Sequence, residues 1–258
     1  MKLYVDIGNS AIKWATEDDL HVDILHQAES RNLPAAIEQA WLKLKKPEAV
    51  YIASVRQQDI DAKLLSWIER HWQIIPLFAE TRQREHGVTN GYKQPGQLGV
   101  DRWLALIAAR ALSKLPQIVV DCGSATTIDA MDGEGRHIGG IILPGLRVFA
   151  HCLRQNTDIP HYDTGEIGDC FATGTASGIL TGAIVAQCAT VEKLYQTLQA
   201  REMGDVICVV TGGDAELLSR HLEVSHRVVH GLVLNGLRLQ SGQSGMSAHC
   251  MTSPQDAK

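Results

Sequence analysis

The alternation of apolar and polar positions divides the chain into two passages of similar layout. In the first, residues 2–7 read as a buried strand. Ile12 to Ala15 and Val22 to Leu25 alternate well enough to continue it as an antiparallel meander, with a turn at Glu17-Asp18-Asp19. Leu33, Ile37, Ala40, Trp41 and Leu44 then recur at helical spacing behind the start signal Asn32-Leu33-Pro34. Val50 to Val55 predicts a strand, Asp59 to His71 a second amphipathic helix, and Ile74 to Phe78 a third core strand. Thr81 to Gly99 is polar, bears glycines and has no clear period, which predicts a long loop, either functional or disordered. Leu98 to Leu112 is a strong helix pattern, and Pro116 ends the connection after it.

The pattern then restarts. Ile118 to Cys122, Thr126 to Met131 and His137 to Leu143 read as strands, with a turn at Asp132-Gly133-Glu134-Gly135. A helix is predicted around Arg147 to Arg154, and a loop rich in Pro, Asp and Gly from Gln155 to Asp169. Gly174 to Ala200 reads as one long helix or a helix pair. Val206 to Val210 is a strand ending in Thr211-Gly212-Gly213-Asp214, before a helix at Ala215 to His221. Val228-Val229 and a helix at Leu232 to Leu239 complete the passage. Ser241 to Lys258, rich in Ser, Gly and Gln, is expected to be disordered. The expected domains are residues 1–115 and 116–240 with a tail at 241–258, giving a duplicated α/β architecture with a cleft between its lobes.

One short motif closes the leading strand of each passage. Asp6-Ile7-Gly8-Asn9-Ser10 follows Leu3-Tyr4-Val5, and Asp121-Cys122-Gly123-Ser124-Ala125 follows Ile118-Val119-Val120. Glycine lets the main chain turn tightly and approach a ligand, and successive N–H groups in such a turn cradle phosphate oxygens. A carboxylate at the strand end can orient Mg²⁺, a hard cation that shares oxygen ligands with phosphates. A single Asp-x-Gly would mean only a hairpin. Two copies, each opening a second strand, predict paired turns gripping one nucleotide triphosphate.

Composition narrows the class. With 45% hydrophobic and 21% charged residues and a formal charge of −5, the chain reads as an ordinary globular protein. The isoelectric point of about 6.1 argues against general nucleic-acid binding. No run reaches the length of a membrane span, and the N-terminus has no signal-peptide pattern. The six cysteines, at 122, 152, 170, 188, 208 and 250, form no C-x-x-C pair, and the eleven histidines form no H-E-x-x-H. These features predict a cytoplasmic, reduced protein. Gly140 to Gly145 matches the glycine spacing of a Walker loop, but Leu146-Arg147 stands where Lys and Ser/Thr are required. No G-x-G-x-x-G follows a strand, which argues against a dinucleotide oxidoreductase.

Five segments in order are more specific than any one of them. Asp6 to Ser10, Gly99-Val100-Asp101-Arg102, Asp121 to Ala125, Gly139-Gly140 with Pro144-Gly145, and Thr211 to Asp214 together resemble type III pantothenate kinases, a family shared with the Bordetella accessory-factor proteins. The resemblance covers roughly residues 1–240. It implies two ribonuclease-H-like lobes of the actin and sugar-kinase type, with a central nucleotide cleft, and a homodimer that binds ATP and pantothenate; the charge and hydropathy above predict neither nucleic acid nor membrane as a partner.

The resemblance also implies roles for residues. Asp6, Ile7, Gly8, Asn9, Ser10, Ala11, Ile12 and Lys13 would form the first phosphate loop, and Ser124 of the second would contact ATP. Asp121 would ligate a monovalent cation, K⁺ or NH₄⁺, beside the Mg²⁺ that accompanies ATP. Asp101 would be the general base, and Tyr92, Gly99, Val100, Asp101, Arg102 and Thr175 would bind the acceptor. Thr211 to Asp214 would form the adenosine-side turn. The chain departs from the family pattern in having Ser10 and Ser124 for Thr, Gly174 for Asn, and Asn235 where Glu is usual. Each role has a plainer alternative. Lys13 can be a solvated strand lysine, Asp101 a first-turn aspartate favoured by the helix dipole, and Arg102 a surface ion pair. A kinase for another small alcohol such as a sugar, or a non-catalytic nucleotide-binding regulator, would share most of the pattern.

Overall fold

Strand β1 (Lys2–Ile7) lies at the centre of the first sheet because both its faces are apolar up to Asp6. The computed structural model describes residues 1–21, 24–29, 35–55, 58–158, 167, 170–242 and 246. Strand β1 pairs antiparallel with β2 (Ala11–Thr16), and β2 with β3 (His26–Glu29). On its other side β1 pairs parallel with β4 (Ala49–Ser54), which pairs parallel with β5 (Leu77–Phe78). The order is β3-β2-β1-β4-β5. Crossing between parallel strands requires helices, here α2 (Ala35–Trp41) and α3 (Gln58–Trp72). Their apolar faces close over Leu3, Val5 and Ile7, with Trp14, Trp41, Trp67 and Trp72 in one cluster. Trp41 stacks on Trp72 at 5.4 Å and meets Trp67 edge-on at 5.7 Å. Such pairs add about 0.5–1.5 kcal/mol beyond burial.

Between the sheets in sequence come a tight hairpin, β6 (Arg84–Glu85) and β7 (Val88–Thr89), and helix α4 (Val100–Leu112). The second sheet repeats the first. Strands β8 (Gln117–Cys122), β9 (Ala125–Met131) and β10 (His137–Pro144) form the antiparallel meander. Strand β11 (Ile207–Thr211) pairs parallel with β8, and β12 (His226–Val228) with β11, giving β10-β9-β8-β11-β12. Helices α5 (Leu146–Asn156), α6 (Thr175–Glu202) and α7 (Ala215–Ser219) supply the crossovers. Ile118, Val120 and Cys122 face the core beneath α6 and α7. A buried hydrogen bond between His137 Nε2 and Asp129 Oδ1, at 2.8 Å, ties β10 to β9. The predicted duplication is therefore present strand for strand.

The chain divides into two compact units. One comprises residues to His86, Tyr92–Ala108 and the chain from Gly231; the other comprises Gly87–Gly91 and Ala109–His230. The last helix, α8 (Leu232–Ser241), packs on β1 and β4. Sequence order alone groups it with the second passage.

Several expectations need correction. Glu17 to Asp19 begins a helix, α1 (Glu17–His21), rather than a turn. Thr16 caps it: Asp19 N–H donates to Thr16 Oγ1 at 3.1 Å, while Thr16 N–H and Oγ1–H both donate to Asp19 Oδ2 at 2.8 Å. This turn of helix moves the third strand on from Val22–Leu25 to His26–Glu29; residues 22 and 23 lie outside the described residues. The strand expected at Ile74 to Phe78 shrinks to Leu77–Phe78, since Pro76 has no N–H for the ladder and Ile75 is exposed. The long loop from Thr81 is partly ordered by the β6–β7 hairpin. His86 and Gly87 both take positive φ, 48° and 78°, as a two-residue turn requires. The Asn32-Leu33-Pro34 start signal, most of the 155–169 loop and most of the 241–258 tail lie outside the described residues.

Candidate active site

The first hairpin is built so that its tip is polar and its base apolar. Gly8 N–H donates to Ala11 O at 3.0 Å, closing the turn between the paired residues Ile7 and Ile12. Both isoleucine side chains are fully buried in the core. Of the predicted ATP residues Ile7 and Ile12, then, only the main chain can face a ligand. Asn9 and Ser10 are exposed at the tip. Side chains alternate along a strand, so Asp6 lies on the face opposite Val5 and Ile7. The register sets Lys13 directly across from it, and cross-strand neighbours of opposite charge stabilise each other.

The second turn is one residue tighter. Gly123 N–H donates to Ala125 O at 3.1 Å between the paired residues Cys122 and Thr126. Its register opposes Asp121 with the neutral Thr127. Two further segments hold this turn. Gly145 N–H donates to Ser124 O at 3.0 Å, and a β-carbon at Gly145 would stand 2.1 Å from Gly123 O. Gly212 adopts φ +99°, and a β-carbon there would stand 2.6 Å from Asp121 Oδ1 and 2.4 Å from Cys122 O. The Thr211–Asp214 turn is drawn onto the same loop by Asp214 N–H donating to Cys122 O at 3.0 Å. Behind it the buried Gln187 of α6 accepts from Thr126 Oγ1 and donates to Pro144 O, both at 3.0 Å. Sequence reasoning missed Gln187; a glutamine inside an otherwise apolar helical face was the available signal.

A third cluster forms at the start of α4. Asp101 Oδ1 accepts the Arg102 N–H at 2.7 Å, which fixes the carboxylate over the first turn. Gly99 O accepts the Trp103 N–H at 3.0 Å, and a β-carbon at Gly99 would meet Asp101 Oδ1 at 2.6 Å. Arg102 is 7% exposed and donates from Nη1 to the Tyr92 hydroxyl at 3.0 Å. The structure thus brings Tyr92, Gly99, Val100, Asp101 and Arg102 together. Thr175 is exposed at the start of the 28-residue helix α6, behind Gly174 as N-cap. Asn235 donates from Nδ2 to Gly231 O at 3.2 Å within α8.

The thiols near these elements are chemically quiet. Burial pushes the Cys122 thiol far up, and the Asp121 and Asp214 carboxylates add to the shift. Burial likewise pushes Cys188 and Cys208 up to about 12. A nucleophilic cysteine needs a depressed pKa, so these three act as packing residues. Among the described residues no group of three or more His, Cys, Asp or Glu could hold a metal ion, and no helix is long and apolar enough to cross a membrane. Asp121 offers one carboxylate, and the main chain at Gly212 packs so closely against it that a β-carbon would not fit. A single carboxylate is not the multi-carboxylate cage that holds a resident divalent ion.

The family model for type III pantothenate kinase matches residues 2–197. The type III pantothenate kinase of Nitrosococcus oceani is 32% identical over 245 residues, covering 92% of each chain. That of Dechloromonas aromatica is 34% identical over 240 residues, covering 92% of this chain and 98% of the relative. Among solved structures, a Campylobacter jejuni protein described as a Baf family transcriptional activator aligns with a TM-score of 0.56 at 20% identity, covering 92% of this chain and 95% of that one. A Sinorhizobium meliloti protein described as a 2-dehydro-3-deoxygalactonokinase aligns at 0.52 and 14% identity, covering 92% and 97%. Those two likenesses speak to the two-sheet kinase fold alone. On the family match and the identity across nearly its whole length, the chain belongs to the type III pantothenate kinase family.

Proposed function

We propose that the chain performs the reaction of its family. The γ-phosphoryl group of ATP passes to the primary hydroxyl of pantothenate, giving ADP and 4′-phosphopantothenate, the first step of coenzyme A biosynthesis. The observation that carries the mechanism is the start of α4, where a carboxylate oriented by Arg102 N–H adjoins a buried guanidinium that itself holds Tyr92. Phosphoryl transfer to an alcohol needs the hydroxyl oriented and its proton accepted. Asp101 accepts that proton. Arg102, a planar donor suited to carboxylates, pairs with the acceptor's carboxylate, alongside Tyr92, Gly99 and Val100. Thr175 adds a hydroxyl to the acceptor.

The phosphates of ATP are bound by main-chain N–H groups of the Asp6–Lys13 hairpin, by Lys13 and by Ser124. Such preorganised donors act where charge develops in the transition state. Asp6 and Asp121, at the ends of the two central strands, would orient the Mg²⁺ that accompanies ATP, and that ion would neutralise phosphate charge. Asp121 would also hold a monovalent cation, K⁺ or NH₄⁺, whose charge would offset the carboxylate beside an anionic ligand. The reading is completed by a cytoplasmic homodimer that engages neither nucleic acid nor membrane.

A panel of acceptors tests the substrate. Purified protein with MgATP and K⁺ should convert pantothenate to a product heavier by one phosphoryl group, seen by mass spectrometry. Hexoses and polyols offered at equal concentration should remain unchanged. Preferential phosphorylation of a sugar would replace this reading by one of a sugar kinase.

A further inference from the structure

The bonding beneath the start of α4 reaches well outside the residues assigned above. Glu85, at the end of β6, has a side chain only 1% exposed. Its carboxylate gathers donors from three other places. Arg82 Nη1 donates to Oε1 at 3.1 Å, Trp103 Nε1 donates to Oε2 at 3.4 Å, and Gln240 Nε2 makes a short bond to Oε2. Gln240, on α8 and 1% exposed, also behaves like an added strand residue. Its Oε1 accepts Glu80 N–H at 3.2 Å and its Nε2 donates to Glu80 O at 3.0 Å. Thr81 Oγ1 donates to Leu98 O at 2.9 Å and so closes the base of the segment that carries Tyr92. Helix α8 is itself pressed against α4: a β-carbon at Gly236 would lie 2.0 Å from Leu104 O.

We propose that Glu85 and Gln240 are positioning residues for the acceptor half of the reaction. The inference rests on the assignment of Tyr92, Gly99, Asp101 and Arg102 to the acceptor. A buried carboxylate is costly without donors, so the place of Glu85 is fixed by all the groups that satisfy it. One of those groups is the indole of Trp103, the residue next to Arg102. Pinning that indole fixes the rotation of α4 about its axis, and each residue turns the side-chain direction by about 100°. The same carboxylate, through Gln240, fixes the segment that presents Tyr92 to Arg102. A long-range latch thereby sets the mutual position of the guanidinium, the phenol and the general base. The latch bonds named above join Glu85, Gln240, Arg82, Trp103 and Glu80 and not the Asp6–Lys13 hairpin, so the acceptor side should feel its loss more than the nucleotide side.

The test is a split between two Michaelis constants in Glu85→Gln and Gln240→Met. Both variants keep side-chain length and remove one member of the latch. The KM for pantothenate should rise by about tenfold or more, because misplacement of an ångström is that expensive in an ordered site, while the KM for ATP stays within about twofold. A second readout is the indole N–H resonance of Trp103, identified by its loss in Trp103→Phe. Pantothenate should shift it in the wild type and not in Glu85→Gln. If Glu85→Gln fails to fold, Gln240→Met carries the same comparison. Unchanged KM for pantothenate, or an equal rise in both constants, would overturn the positioning role while leaving the kinase reading intact. A wild-type protein that phosphorylates no pantothenate would sink both.

Discussion

Arg102 donates from Nη1 to the Tyr92 hydroxyl at 3.0 Å, and its guanidinium carbon stands 5.8 Å from the centre of the Tyr92 ring. The arginine is buried, so this contact orders a charge that would otherwise be solvated. In the proposed reaction the pair sets where the acceptor lies relative to Asp101. Lysine at this position would keep the charge and lose the fork. Arg102→Lys should therefore raise the KM for pantothenate by about tenfold or more, the usual scale for a hydrogen bond to a charged group. Tyr92→Phe, which removes one neutral donor or acceptor, should cost about two- to tenfold. Steady-state kinetics with varied pantothenate at saturating ATP checks both.

The tight turn at Gly123 should be intolerant of bulk at Gly145. A β-carbon there meets the main-chain oxygen of Gly123 at 2.1 Å, so the turn must move. Gly145→Ala should lower stability by about 1–3 kcal/mol, as overpacking does, and weaken ATP binding. Gly178 in α6 is the control, because a β-carbon there meets nothing within 4 Å. Gly178→Ala should stabilise by about 0.5–1 kcal/mol, the ordinary gain from removing a helical glycine. Thermal melts with and without ATP distinguish the two.

Thiol chemistry offers a test of the second core. Cys188 and Cys208 are pushed up to about 12 and Cys122 higher still, by burial. At pH 8 a thiol of pKa about 12 is roughly one part in ten thousand thiolate, and the thiolate is the reactive form. Iodoacetamide should label the exposed Cys152 and Cys170 and leave those three unmodified until the protein unfolds. Peptide mass spectrometry assigns each site. Rapid labelling of Cys122 in the native state would show that the strand carrying Asp121 is open.

The β9–β10 turn predicts a pH dependence. Burial works to raise the Asp132 carboxyl, but the Arg136 N–H, the Arg136 guanidinium and the Glu134 N–H bring it below the usual carboxylate value. Its oxygens accept Arg136 N–H at 2.8 Å, Arg136 Nε at 2.7 Å and Glu134 N–H at 2.9 Å. A carboxyl depressed in the folded state stabilises fully above its unfolded pKa, and that contribution is lost as pH falls through the folded one. Asp132→Asn should thus lower Tm at pH 7. The two proteins should converge as pH falls below about 4, the unfolded carboxyl range. A constant Tm gap from pH 7 to pH 3 would contradict this.

Much of the architecture is legible because it rests on local pattern. The acid ending each central strand, the glycine after it and the alternation before it are all contiguous, and both hairpins form where that pattern predicts. What stays hidden is held by distance or by caps. The Thr16–Asp19 capping pair moves the third strand, yet looks like an acidic turn in the sequence. Pro76 trims β5 to two residues against an apolar run that suggests more. Glu85 and Gln240 are 155 residues apart, and neither belongs to a motif. Each is a polar residue whose burial only the folded chain reveals. Gln187 differs, since it stands inside an otherwise apolar helical face, but its partners on β9 and β10 emerge only when the strands close over it.

The central claim is that Asp101 serves a phosphoryl transfer whose acceptor is pantothenate. The most direct measurement is single-turnover formation of 4′-phosphopantothenate by the wild type and by Asp101→Asn, with both shown folded by circular dichroism. The account predicts pantothenate-dependent product from the wild type and a loss of about 10²–10⁴-fold in the variant, the scale of a positioned general base, with ATP still bound. Equal product from the two proteins, or ATP turnover indifferent to pantothenate, would contradict it.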